Sequence, residues 1–202
     1  MTQLPLLYTI ADGAFGDPVE IAKSLVAGGA RLVQIRDKHA ASGLLLSRST
    51  AIAAAAPTGV QILVNDRIDI ALLAGASGAH IGQRDLPPGA SRKLLGAGKI
   101  LGLSTHGRDQ AIAADDAPVD YVAVGPIFQT TTKTNPDAAI GLEELADICD
   151  LLSKPVVAIG GIRLDNVADV MAAGAASVAV IADLIGQGDI KARTGKFLDQ
   201  LR

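Results

Sequence analysis

Carboxylates, cations, hydroxyls and glycines recur in this chain directly after short apolar runs. "ILVNDR" ends in Asn65, Asp66 and Arg67, and "HIGQRDL" ends in Gln83, Arg84 and Asp85. Two carboxylates delivered by neighbouring runs suit Mg²⁺, a hard cation that also takes phosphate oxygens and keeps several waters. Helix capping is their competing use, since Asp85 stands ahead of "LPPGASRKLL". "LVQIRDK" brings Gln34, Arg36, Asp37 and Lys38, and "GPIFQTTTK" brings Thr130, Thr131, Thr132 and Lys133. Arg grips phosphate through two N–H groups and Lys adds a mobile point charge. Salt bridges to Asp37 or Asp66 are the alternative employment for these cations. Ser104 and Thr105 close "ILGLST", with His106 next. Gly160-Gly161 follows "PVVAI", where backbone amides can approach an anion closely, although a tight turn would also use them. Two anion sites are implied, one of amides and one of basic side chains with a metal. A monophosphate and a diphosphate sharing one cavity would fill them.

Something must bring these run ends together. The apolar runs lie at 6–12, 31–37, 61–66, 78–82, 100–105, 120–128, 155–161 and 177–183. Each is continuous rather than alternating, as expected of strands covered on both faces. Segments with helical spacing separate them. In "DPVEIAKSLVAGGA", Val19, Ile21, Ala22, Leu25 and Val26 share a face, Asp17-Pro18 is a start signal and Gly28-Gly29 a stop. "LDNVADVMAAGAA" repeats that grammar, and a last helix is expected over 189–201. The reading is an α/β fold, a single (β/α)₈ TIM barrel over residues 1–202. An open doubly wound sheet is the alternative, but no run reads as an edge and the repeat stays near ~25 residues. In a barrel the carboxyl ends of the strands form the active face, and the turns after strands seven and eight commonly hold phosphate.

Composition narrows the function classes. Hydrophobic residues are 49% of the 202, aromatics only 2%, and Trp is absent, so Ala, Val, Ile and Leu must build the core. The net charge of -3 comes with no basic patch, which argues against nucleic acid, and the scarcity of aromatics argues against stacking on single strands. The lone Cys149 can form no internal disulfide, reads as a small buried side chain rather than a nucleophile, and fits a reducing, cytoplasmic setting. "MTQLPLLYTIADG" lacks the pattern of a signal peptide, and no run of about twenty apolar residues calls for a membrane. Small-molecule substrates are the expected partners. Oligomeric state is left open, a homo-oligomer included.

The motifs "QIRDK", "NDR", "HIGQRDLP", "GLSTH", "GPIFQTTTK", "AIGGI" and "VAVIADL" stand in one order along nearly the whole chain. In this the sequence resembles the thiamine phosphate synthase family, also called thiamine-phosphate pyrophosphorylase. The resemblance implies that 4-amino-2-methyl-5-hydroxymethylpyrimidine diphosphate is joined to 4-methyl-5-(2-hydroxyethyl)thiazole phosphate, or its carboxylated tautomer. Thiamine phosphate and pyrophosphate would result, with carbon dioxide also lost from the carboxylated tautomer, through a dissociative substitution assisted by Mg²⁺. It further implies that Gln34, Arg36 and Lys38 hold the pyrimidine diphosphate, with Ile35 and Asp37 in the same binding stretch. Asn65 and Lys133 would contact the diphosphate, Asp66 and Asp85 the metal, and Ser104 the leaving pyrophosphate. Thr130, Thr131 and Thr132 would face the thiazole phosphate, held by Gly161 and the Ile181-Ala182 amides.

His106 is expected to order its loop, and His80 to be packed or hydrogen-bonded. The chain departs from the family pattern at Gln129, Ala182 and Arg84. Three rivals stand beside the synthase. One is a thiazole tautomerase, which uses a histidine near the position of Pro126. Another is a Schiff-base lyase or aldolase with Lys38 or Lys133 as nucleophile. The third is a non-catalytic barrel that binds a phosphometabolite.

Overall fold

The apolar runs form eight parallel strands. They are β1 (Leu7–Asp12), β2 (Leu32–Arg36), β3 (Gln61–Asn65), β4 (Gly78–Ile81), β5 (Ile100–Thr105), β6 (Tyr121–Val124), β7 (Val156–Ile159) and β8 (Ser177–Val180). Neighbours in sequence pair, and β8 pairs with β1, so the sheet closes into a barrel. The computed structural model describes residues 4–130 and 138–202. Around the barrel run α1 (Pro18–Ala27), α2 (Ser42–Ala55), α3 (Ile68–Leu73), α4 (Pro88–Leu95) and α5 (Arg108–Asp115). The outer layer continues with α6 (Gly141–Leu151), α7 (Val167–Ala172), the short α8 (Ala182–Ile185) and α9 (Ile190–Gln200).

Local chemistry sets the helix ends. The Asp17 carboxylate accepts from the Val19 amide and Pro18 opens α1, so one orphan donor is satisfied and another removed. Asp189 caps α9 in the same way, through the Ala192 amide. Two strands end three or more residues before their apolar runs do. The sixth run was expected to be strand over 120–128, but β6 ends at Val124, before Pro126, which has no amide to give to a ladder. The chain still follows β7, with Ile127 N–H donating to the Ile159 carbonyl at 2.9 Å and Phe128 N–H to Gly160 at 3.0 Å. The eighth run was expected through 183. It ends at Val180 because Ile181 turns the backbone into α8.

Strand residues alternate between two separate cores. Tyr8, Ile10, Leu32, Leu63, Ile100, Tyr121, Val157 and Ala179 fill the barrel interior. Ala11, Val33, Ile35, Val64, Leu101, Val122, Ala158 and Val178 point outward and pack under the helices, against Leu25, Ile52, Leu145, Val170 and Phe197. Each fully buried Leu or Ile contributes about 1.5–3 kcal/mol of transfer free energy, so this outer layer carries much of the stability. The closure is stitched by side chain as well as backbone. Ser177 Oγ donates to the Pro5 carbonyl at 2.7 Å, and the Val178 amide to Leu6 at 2.9 Å. No helix among the described residues is long and apolar enough to cross a membrane.

Candidate active site

The inward-facing positions at the carboxyl ends of the strands carry the polar side chains. Asp12 and Arg36 are register partners on β1 and β2, and the Arg36 guanidinium donates to the Asp12 carboxylate. Asp12 is only 1% exposed and also accepts from the Ala14 amide. The guanidinium is thus held from below, with its head left at the mouth. Asp12 was not among the candidates from sequence. The available signal was an acid closing the first apolar run, as Asp66 follows the third.

Asp66 directly follows β3 and adopts a left-handed φ of 63°, unusual for a residue with a side chain. Its amide donates to the His80 carbonyl at 2.7 Å. Its carboxylate takes the Lys38 ammonium at 2.7 Å. Asp85 sits in the turn after β4, where its Oδ2 accepts from the Gly82 amide at 2.7 Å. Burial, and behind it the negative charge of Asp66, raise the Asp85 carboxyl above its ordinary value, against the pull of the Gly82 amide and Lys38. The two carboxylates are therefore close enough to repel, a tension that a dication relieves. Among the described residues no group of three or more His, Cys, Asp or Glu converges as metal ligands. Two carboxylates leave most of an octahedral shell to water and phosphate oxygens, which fits Mg²⁺ arriving with a diphosphate better than a closed protein cage.

Ser104 stands on the next strand. Its carbonyl accepts from Gln83 Nε2 at 2.7 Å, tying β5 to the turn that carries Asp85. Its hydroxyl lies 2.7 Å from His80 Nε2. His80 Nδ1 lies 2.8 Å from the Tyr121 hydroxyl, which lies 2.9 Å from that of Tyr8. Gln34 Nε2 donates to Tyr8 at 2.6 Å. The His80 ring stacks on Tyr121 with centroids 5.6 Å apart. The chain has only two tyrosines, and both lie in this buried array. Burial drives both phenols well above their ordinary value, so they stay neutral. Neither tyrosine was a sequence candidate, because an aromatic in a strand reads as packing. His106 orders its loop as expected, with Nδ1–H donating to the Gly125 carbonyl at 3.0 Å.

A second cluster forms after β7 and β8. Gly160 and Gly161 have φ of 99° and 66°. A β-carbon on Gly161 would lie 2.7 Å from both Phe128 Cβ and the Gln129 carbonyl oxygen. The pair thus serves the turn and the close approach of the segment after β6. The Asp183 carboxylate, 7% exposed, accepts from the Leu164 amide at 2.9 Å and from Arg193 at 2.7 Å. It ties the turn after β7 to α8 and α9, so the Gly161 turn and the Ile181-Ala182 amides are held side by side.

Several candidates part from expectation. The Ile35 side chain lies in the outer core under the helices, so only its backbone is available at the mouth. The Asp37 carboxylate accepts from Arg48 at 2.5 Å and from the Ala40 amide at 3.1 Å, and so shapes the loop before α2. Thr131, Thr132 and Lys133 lie outside the described residues, and Thr130, just before them, is half-buried. Asn65 closes β3 opposite His80. Burial pushes the Cys149 thiol up to about 11, which keeps it from acting as a nucleophile at neutral pH.

Residues 7–184 match the family model for thiamine monophosphate synthase. The chain belongs to the thiamine monophosphate synthase family. Relatives of nearly equal length bear this out. The chain is 45% identical to the thiamine-phosphate synthase of Koribacter versatilis (strain Ellin345), over 98% of this chain and 97% of the relative. Identity to that of Anaeromyxobacter dehalogenans (strain 2CP-C) is also 45%, over 95% and 85%. Among solved structures, the thiamine phosphate pyrophosphorylase of Pyrococcus furiosus superposes with a TM-score of 0.89 at 30% identity, covering 96% of this chain and 94% of that one. Membership in the thiamine monophosphate synthase family makes the chain one of a group of transferases.

Proposed function

We propose that this chain makes thiamine phosphate by joining a hydroxymethylpyrimidine diphosphate to a thiazole phosphate, or its carboxylated form, with release of pyrophosphate and, from the carboxylated form, carbon dioxide. One observation carries the reading: the Asp66–Asp85 carboxylate pair, with Lys38 on Asp66 and Ser104 on the next strand, shares the barrel end with the Gly161 and Ile181-Ala182 amides. Two anion sites of different build suit two differently phosphorylated substrates.

The bond between the exocyclic methylene and the diphosphate oxygen breaks, and its electron pair leaves with pyrophosphate. The 4-amino group of the pyrimidine spreads the resulting positive charge, and the thiazole nitrogen then forms the new carbon–nitrogen bond. That nitrogen already carries a lone pair, so no strong base is required. The demanding task is stabilising the departing charge. Arg36, held by Asp12, and Lys38 are cations fixed near that position before reaction. Asn65, Ser104 and Lys133 add donors to the diphosphate, and Gln34 faces the pyrimidine. Asp66 and Asp85 would hold Mg²⁺, which supplies charge neutralisation on the diphosphate when bound. Thr130, Thr131 and Thr132, with the amides after β7 and β8, would hold the thiazole phosphate. A Schiff-base role suits Lys38 poorly, because an ammonium paired with Asp66 is not a nucleophilic amine.

The test mixes purified protein, both substrates and Mg²⁺, and follows pyrophosphate and thiamine phosphate together. Equal yields of the two, abolished by chelation, are expected. Binding of both substrates without any pyrophosphate would sink the reading.

A further inference from the structure

Five side chains on five different strands form one hydrogen-bonded line through the barrel: Gln34 on β2, Tyr8 on β1, Tyr121 on β6, His80 on β4 and Ser104 on β5. Four of them are buried, and Ser104, the partly exposed one, is the end that meets the mouth. We propose that this line fixes the proton of His80 on Nε2 and thereby holds the Ser104 hydroxyl as a donor toward the leaving diphosphate. Tyr8, Tyr121 and His80 are positioning residues in this scheme, and its functional half rests on the synthase reading of Ser104.

The direction follows from counting protons. The Gln34 amide nitrogen can only donate, so Tyr8 accepts from it. Tyr8 has one proton of its own and one further neighbour, Tyr121, at 2.9 Å. In a buried site that proton goes to Tyr121, since an unmade bond there is costly. Tyr121 in turn gives its proton to His80 Nδ1, which must be bare. The His80 proton is then on Nε2 and is donated to Ser104 Oγ. With that oxygen accepting from the imidazole, the Ser104 proton is directed elsewhere. A doubly protonated His80 would push Tyr121's proton back onto Tyr8 and strand the Tyr8 proton. The ring stacking of His80 on Tyr121 keeps the imidazole in the plane this line requires. Turning the Gln34 amide end for end would reverse every bond, putting the His80 proton on Nδ1 and making Ser104 donate to the imidazole.

The two arrangements differ in one observable. A long-range ¹H–¹⁵N spectrum of the full chain without substrates, with the His80 signals identified by their loss in His80→Gln, reports which ring nitrogen carries the proton. The Nε2–H form is expected, and an Nδ1–H form in an enzyme that turns over normally overturns the proposal while leaving the synthase reading intact. Tyr121→Phe removes one hydroxyl and no packing. It should turn the single tautomer into a mixture and lower kcat about tenfold with KM for the thiazole phosphate unchanged. Tyr8→Phe should act in the same direction but less. Combined with Ser104→Ala, Tyr121→Phe should cost nothing further, since its effect passes through that hydroxyl. An unaltered tautomer in Tyr121→Phe, or fully additive losses in the double variant, would overturn the proposal.

Discussion

Gly102 faces Tyr121 across the β5–β6 pair so closely that a β-carbon at position 102 would lie 2.0 Å from the ring carbon Cζ and 2.3 Å from its hydroxyl oxygen. The phenol fits the barrel only because residue 102 has no side chain. Both lie in the interior, where overpacking typically costs about 1–3 kcal/mol. Gly102→Ala should therefore lower stability by about that amount in chemical denaturation. It should also slow turnover, because the ring cannot shift without leaving Tyr8 and His80. Unchanged stability and activity would show that the interior has slack here.

Asp12 offers a second test. Its carboxylate is buried and holds both Arg36 and the Ala14 amide. Asp12→Ala leaves the guanidinium without its partner and should cost about 1–3 kcal/mol of stability. The released Arg36 should bind the pyrimidine diphosphate less well placed for reaction, so kcat should fall more than KM rises in steady-state kinetics.

The Asp66–Asp85 pair predicts a pH effect with a definite sign. Asp85 is raised by burial first and by the charge of Asp66 second. Its contribution to stability is thus present below the ordinary carboxylate range and lost as pH rises through the raised value. Mg²⁺ favours the carboxylate and should reverse that trend. Carboxyl ¹³C titration should give an Asp85 midpoint above the ordinary range, lowered in Asp66→Asn and lowered by saturating Mg²⁺. A midpoint indifferent to both would break the link between the two carboxylates.

The proposed cradle for the thiazole phosphate, after β7 and β8, can be tuned in two directions. A serine at position 182 would bring a hydroxyl to the turn after β8, so Ala182→Ser should add one hydrogen bond of about 1 kcal/mol and lower KM for the thiazole phosphate about fivefold. Asp183→Ala removes the carboxylate shared by the Leu164 amide and Arg193. It should raise that same KM, with little change for the pyrimidine diphosphate. Equal effects on both substrates would mean the two anion sites are not separate.

Much of the fold was legible because apolar runs and helix signals agree along the whole chain. Which side of the sheet a residue faces was not. Runs buried on both faces carry no alternation of polarity, so Ile35 looked as available as Gln34, yet one packs under the helices and the other lines the barrel. The run ends stood out in the sequence because Arg36, Lys38, Asp66, Asp85 and Ser104 are polar groups placed at or just after the ends of apolar strands. The parts that support them were not. Asp12 and Asp183 reveal their roles only through partners far away in sequence. Tyr8 and Tyr121, 113 residues apart, meet only when the barrel closes.

The bond from Ser177 to Pro5 and the pairing of β8 with β1 carry a consequence for how the chain is made. A ribosome releases the first strand long before the last, and until residues 177–180 emerge that strand has one flank with nothing beside it. Closing the barrel therefore joins partners 172 residues apart, as Ser177 and Pro5 are, a non-local contact of the kind that forms slowly.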